Sequence, residues 1–207
     1  MPLSTADLEG CVESLYRLAE CEEDEVLTPS SLAEQLFGAR CVQRVPRMIE
    51  AGALARAGDR RFIGVRASLR GPAAEHVIGH ELGHYALNLE RYTGDDTERC
   101  CDYIGAAIMT RRRPFARSAA GRERDFSALA SDWETTETMV ALRVGEVMGL
   151  PVAVVTPQQV RARGGEWPDE RRLRELARTG GPGLARVRLT DDRRRVALIG
   201  EEDIDAA

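Results

Sequence analysis

The chain has 207 residues, is 43% hydrophobic and 30% charged, and carries a formal net charge of -5. That balance supports a globular fold with a sizeable buried core and argues against a strongly cationic nucleic-acid binder. No stretch reaches the ~18–20 apolar residues that span a bilayer, so no membrane partner is expected.

Taken in chain order, residues 4–20 read as an amphipathic helix capped by Ser4 or Thr5, with Leu8, Val12, Leu15 and Leu18 on one face. This acidic start lacks a basic n-region and an apolar h-region, so it does not read as a secretory signal. TPSSLAEQLFG is a second helix, with Thr28 as cap, Pro29 at its first position and Gly38 at its end. Residues 40–45 predict a strand. Residues 53–65 predict a hairpin turning at Gly58-Asp59. Gly71-Pro72 punctuates, and helices follow over roughly 73–88 and 95–110. The Arg/Gly/Ser stretch at 112–124 marks a soft boundary. Beyond it come two helices (126–130 and 136–149), a strand (152–155), a helix (168–178) and a hairpin (184–189 with 194–199) around Asp191-Asp192.

The cysteines are Cys11, Cys21, Cys41, Cys100 and Cys101, an odd number with no C-x-x-C pair. They predict free thiols in a reducing, cytoplasmic compartment. All 29 basic residues are arginine. A lysine-free chain rich in Ala and Gly points to GC-rich codon usage rather than to an anionic partner. The acidic block at 20–25 and the basic runs at 111–117 and 171–178 are expected to be solvated faces.

All three histidines, His76, His80 and His84, lie on one stripe at four-residue spacing. His80-Glu81-Leu82-Gly83-His84 is H-E-x-x-H. On a helix, residues i and i+4 share a face, so both imidazoles reach one metal ion. Glu81 points about 100° away from His80, where it can hold the attacking water as general base. His76 and His84 are about 12 Å apart along the axis and cannot share an ion, and His76 has valine where a base would follow. His76 is therefore read as a core or cleft-wall residue. Gly79 and Gly83 each weaken the helix by roughly 1 kcal/mol relative to Ala. They suggest a close approach by the hairpin strand or a substrate backbone.

A catalytic zinc site needs a third protein ligand. If the helices at 73–88 and 95–110 are antiparallel, Glu98 stands level with His84 and Asp102, one turn deeper, level with His80. Glu98 is then the third ligand. Asp102 accepts a proton from the far nitrogen of a ligand histidine, fixing its tautomer. Two alternatives remain: Asp95 and Glu98 form a capping box, or Asp102 itself ligates. Cys101 is read as a buried small residue, because a thiolate would weaken the ion's power to acidify water. Two imidazoles and one carboxylate favour zinc; manganese or iron(II) would also fit.

HELGHYAL followed by ERCCDYIGAAIM resembles the ImmA/IrrE-type metallopeptidases, whose metal-binding H-E-L-G-H helix precedes a helix of the form E-x-x-A-[ND]-x-F-A-A-x-L-L-M-P. FSALASDWETTETMVALRVGEVMGLPVAVV resembles the family's downstream segment, and the similarity spans roughly residues 25–155. Under the resemblance Glu98 falls on the third ligand, Asp102 on the [ND] position and Cys101 on the alanine. His76 replaces the usual aromatic, and Thr110-Arg111 replaces Met-Pro.

The resulting expectation is an α+β fold. It has a mostly helical zincin-like core (1–112) with a small antiparallel sheet before the metal-binding helix, and an extension (113–207) with a helical segment and hairpin. The resemblance implies a zinc-dependent metallo-endopeptidase acting on a protein target, a separately encoded helix-turn-helix repressor. The alternative is a non-catalytic metal-binding partner that sequesters a repressor, using the basic helix at 168–178. The 126–148 segment has a helix-turn-helix look of its own, but the acidic chain argues against DNA contact there.

Overall fold

A computed structural model of the chain describes residues 3–164, 167–181, 183–189 and 195–200. The chain divides into two compact units, Met1–Pro114 and Phe115–Ala207. The fold is α+β. Among the described residues no helix is long and apolar enough to cross a membrane.

The first unit opens with helix α1 (Thr5–Leu18). Its cap is Ser4, whose side chain accepts from the Asp7 N–H while Asp7 accepts from the Ser4 N–H. Such a reciprocal cap contributes about 1 kcal/mol. Helix α2 (Pro29–Phe37) starts at Thr28 and stops at Gly38, whose φ of 91° suits glycine. Strands β1 (Val42–Val45), β2 (Gly52–Ala57) and β3 (Arg60–Arg66) follow. Ala57 pairs with Arg60, so Gly58-Asp59 is a two-residue hairpin loop, and Gly58 has φ 62°. The expectation of a wholly antiparallel sheet needs correction. The order is β1-β3-β2, with β1 parallel to β3. The turn after β1 carries the chain across to the far position, and the hairpin returns β3 to the middle, where it runs with β1.

Helices α3 (Gly71–Leu89) and α4 (Thr97–Met109) complete the unit's layers. Gly71-Pro72 does not precede α3 but forms its first turn, where proline's missing N–H costs nothing. Val12, Leu15, Leu32, Ile63, Ile78, Leu82, Ile104 and Ile108 share one buried cluster. The α3–α4 contact is set by glycine. A Cβ built on Gly79 would stand 2.9 Å from the Gly105 Cα, and one on Gly83 would stand 2.8 Å from the Cys101 Cα. The close approach is therefore to α4, not to the hairpin or a substrate.

Of the basic run expected to be a solvated face, Arg111 departs from that expectation, while the Arg113 side chain stays 69% exposed. Arg111 is buried, bonds both Glu13 oxygens and the Glu22 and Glu25 carbonyls, and lies over the Tyr16 ring. Arg112 pairs with Glu9 and Arg113 with Glu23. These arginines tie α1 and the acidic block to the end of α4. The stretch read as a boundary is also helical. Helix α5 (Arg112–Ala119) takes Pro114 in its first turn, where an N–H has no helical partner, and buries Phe115 and Ala119.

In the second unit, α6 (Phe126–Asp132) and α7 (Glu137–Met148) precede β4 (Val152–Val155) and β5 (Val160–Arg163). Helix α8 (Glu170–Thr179) and strands β6 (Leu184–Arg188) and β7 (Val196–Gly200) follow. The expected final hairpin is part of a four-stranded antiparallel sheet, order β5-β4-β7-β6; its turn at Asp191-Asp192 lies outside the described residues. The sequence reading missed β5. Strand β4 is buried on both faces: Val152 and Val154 pack with Phe126 and Val140, while Ala153 and Val155 pack with Leu173 and Leu176 of α8.

Gly79→Ala tests the helix contact. Alanine is the better helix former by about 1 kcal/mol, but its methyl meets backbone that cannot swing away. A net loss of roughly 1–3 kcal/mol in denaturant unfolding is expected; unchanged or raised stability would refute the contact.

Candidate metal centre

Helix α3 presents His80 and His84 one turn apart, their rings edge to face with centroids 4.9 Å apart. From α4, Glu98 places Oε2 3.3 Å from His80 Nε2 and Oε1 3.5 Å from His84 Nε2. Two donors each about 2.0–2.1 Å from a tetrahedral zinc ion stand about 3.3 Å apart. The two Glu98 distances match edges of such a site. The helix start does not form the alternative capping box: its N-cap is Asp96, with no side-chain capping bond.

Asp102 sits one turn deeper, and its Oδ1 lies 3.0 Å from His80 Nδ1. That partner places the proton on Nδ1 and leaves the Nε2 lone pair facing Glu98. The hydrogen bond to Asp102 raises the His80 pKa above the ordinary imidazole value, against the opposing effect of burial.

A further donor lies beneath the ring pair. Cys101, fully buried, brings Sγ into a group with ring nitrogens of His80 and His84, all within 4.8 Å of one another. Burial first, then the Glu98 charge, pushes this thiol far above its usual range. Glu98 and Cys101 are thus both candidates for a third donor. Glu98 lies 3.3 and 3.5 Å from the two ring nitrogens with its side chain 78% exposed, while Cys101 is fully buried.

Glu81 is buried beside the ligand pair but outside the donor group. It faces Gly52 of β2, where a built Cβ would meet the Val77 Cγ1 at 2.5 Å and the Glu81 Oε1 at 2.8 Å. Any side chain at position 52 would collide with the proposed base. A cleft of about 550 Å³ runs between this strand and α3, lined by Glu50–Leu54, His76, His80, Glu81, His84, Glu98 and Asp102. The hairpin was legible in the sequence, but its placement as the cleft wall was not. A larger cleft of about 820 Å³ in the second unit, lined by Arg122, Met148 and Leu150 among others, holds none of these donors.

Residues 42–144 match the family model described as the IrrE N-terminal-like domain, Peptidase M78. The chain belongs to that family. No curated protein matches the sequence. Among solved structures, a Mycobacterium tuberculosis transcriptional regulator is similar in fold, with TM-score 0.62 and 13% identity over 94% of this chain and 88% of that one.

Two departures from the M78 pattern have structural accounts. Arg111, in place of proline, makes the buried clamp on α1. His76 lines the cleft, with Nε2 3.9 Å from Asp102 Oδ1, too long for a hydrogen bond. Three tyrosines lie near the motif in sequence. Tyr85 packs edge-on against Phe37, Tyr92 donates to Asp96, and Tyr103 donates to Glu9.

In the metal-free M78 centre, protonated His80 paired with Asp102 contributes stability that is fully present below the unfolded imidazole pKa and fades as pH rises through the higher folded one. Asp102→Asn should lower the His80 titration midpoint, read by NMR of the metal-free protein, and should cost more stability at acidic than at alkaline pH. An unmoved midpoint would reject the pairing.

Proposed function

We propose that the chain is a zinc-dependent metallo-endopeptidase that cuts a specific protein target, a separately encoded helix-turn-helix repressor. The observation that carries this reading is the convergence of His80, His84 and Glu98 at distances of 3.3 and 3.5 Å, with Glu81 beside them and outside the donor set. A zinc ion bound there would supply Lewis acidity, acidifying water and polarising a peptide carbonyl. Glu81 takes the proton of the attacking water and delivers it to the leaving amine. Asp102 holds the His80 ring in its working tautomer.

The hairpin supports an extended substrate. In a two-residue hairpin with Ala57 opposite Arg60, residues 53, 55 and 57 bond to β3, and the N–H and C=O groups of Gly52, Leu54 and Arg56 face the outer edge. Among the described residues no strand pairs there. A peptide added along that edge gains main-chain hydrogen bonds next to Glu81. The cleft lining carries Glu50, Glu81, Glu98 and Asp102 and no arginine. That charge suits a basic segment, such as DNA-binding proteins carry. The structural neighbour named as a transcriptional regulator fits a regulatory setting. The rival reading, a non-catalytic sequestering partner, leaned on the basic helix now seen as α8. There Arg172 and Arg174 pair with Glu175 and Glu170 of the same helix, leaving less free charge for a partner.

Glu81→Gln is the test. It should keep the ion, by elemental analysis, while cleavage of a repressor substrate falls by about 10²–10⁴, followed by mass spectrometry of fragments. Undiminished cleavage would overturn Glu81 as the base, and intact release of the repressor without fragments would favour sequestration.

A further inference from the structure

Three observations single out Cys101. It is fully buried, with Sγ in one group with His80 and His84 ring nitrogens, all within 4.8 Å of one another. Its backbone is pressed against Gly83, the residue next to His84, which holds its Cα close to the histidine-bearing helix. Its competitor, the Glu98 carboxylate, is mostly in solvent and can leave by side-chain rotation.

We propose that Cys101 is a second, buried donor to the same ion, so that one centre has two states: an open one held by His80, His84 and Glu98, and a latent one in which the Cys101 thiolate binds. The inference rests on the metal-peptidase reading above and adds a means of regulating that site. Burial alone keeps the thiol protonated, but a bound cation inverts that preference. As the sulfur–metal bond forms, the thiol proton passes to solvent, and no electron is transferred. Thiolate donation in place of the Glu98 carboxylate reduces the effective charge on the ion, and with it the ion's power to acidify water. The latent state therefore binds metal more tightly and activates water less. Glu98, relieved of the ion, turns outward. Substrate or partner contacts that hold Glu98 inward favour the open state.

Cobalt(II) as the spectroscopic probe separates the possibilities without any activity assay. Loaded wild-type protein should show visible d–d bands and a near-ultraviolet sulfur-to-cobalt charge-transfer band. Glu98→Ala should keep both. Cys101→Ala should lose the charge-transfer band, keep the d–d bands and bind cobalt at least about tenfold more weakly, since even residues outside the ligand set typically change metal affinity 10–100-fold. Alanine removes only the sulfur and keeps the Cα, Cβ and carbonyl that pack on Gly83, so the fold should survive; circular dichroism checks it. Cys100→Ala, altering the neighbouring thiol, should leave the band in place. Cobalt bound with d–d bands but no sulfur band, in both wild type and Glu98→Ala, would overturn the Cys101 assignment and leave the His80/His84/Glu98 reading standing. No cobalt bound by any of these proteins would overturn both.

Discussion

Everything at the centre depends on how closely two helix backbones approach. At Gly79, Gly83 and Gly105 there is no room for a methyl group between α3 and α4. Ordinary helix pairs stand 8–10 Å apart, separated by their side chains. Here glycine removes that spacer on the inner side. Short carboxylate side chains from one helix then reach imidazoles on the other. With a wider gap, Asp102 would not reach His80 Nδ1 and Glu98 would not bridge both rings. The helix propensity given up at two glycines within α3 is the cost of that reach.

Much of this centre was written in local sequence. H-E-x-x-H fixes a face of a helix through its period, and level-matching across an assumed antiparallel pair was enough to bring Glu98 and Asp102 to the histidines. The same reasoning could say that the glycines mark a close approach but not what approaches, because spacing along one helix carries no information about its neighbour. The hairpin was legible from Gly58-Asp59. Its sheet was not, since whether β1 runs parallel to β3 depends on where a six-residue turn carries the chain. Cys101 was discounted as a small buried residue on chemical grounds; only coordinates could show its sulfur beneath the ring pair.

The arginines teach a similar lesson. Residues 111–113 have the composition of a solvated run, and a charge count cannot distinguish a free cation from one with a partner ninety residues upstream. Arg111 finds Glu13 and two main-chain carbonyls. Its flat guanidinium also lies over Tyr16, a geometry that a lysine ammonium would not reproduce. The acidic block, expected to be a solvated face, thus meets these arginines through the Glu22 and Glu25 carbonyls and the Glu23 side chain. In α8, by contrast, Arg172 and Arg174 pair with Glu175 and Glu170 along their own helix.

Sheet order has a consequence for assembly. The central strand β3 is the last of the three in the chain, so β1 has nothing to pair with until β3 has been made. The hairpin closes over two residues, a local event with little chain entropy to overcome, whereas joining β1 to β3 closes a loop of about twenty residues. The ribbon can therefore nucleate first, and β1 docks on it afterwards. Its outer margin, the wall beside Glu81, is a product of nearest-neighbour contacts along the chain and can be in place before the helix it leans on has found its partner.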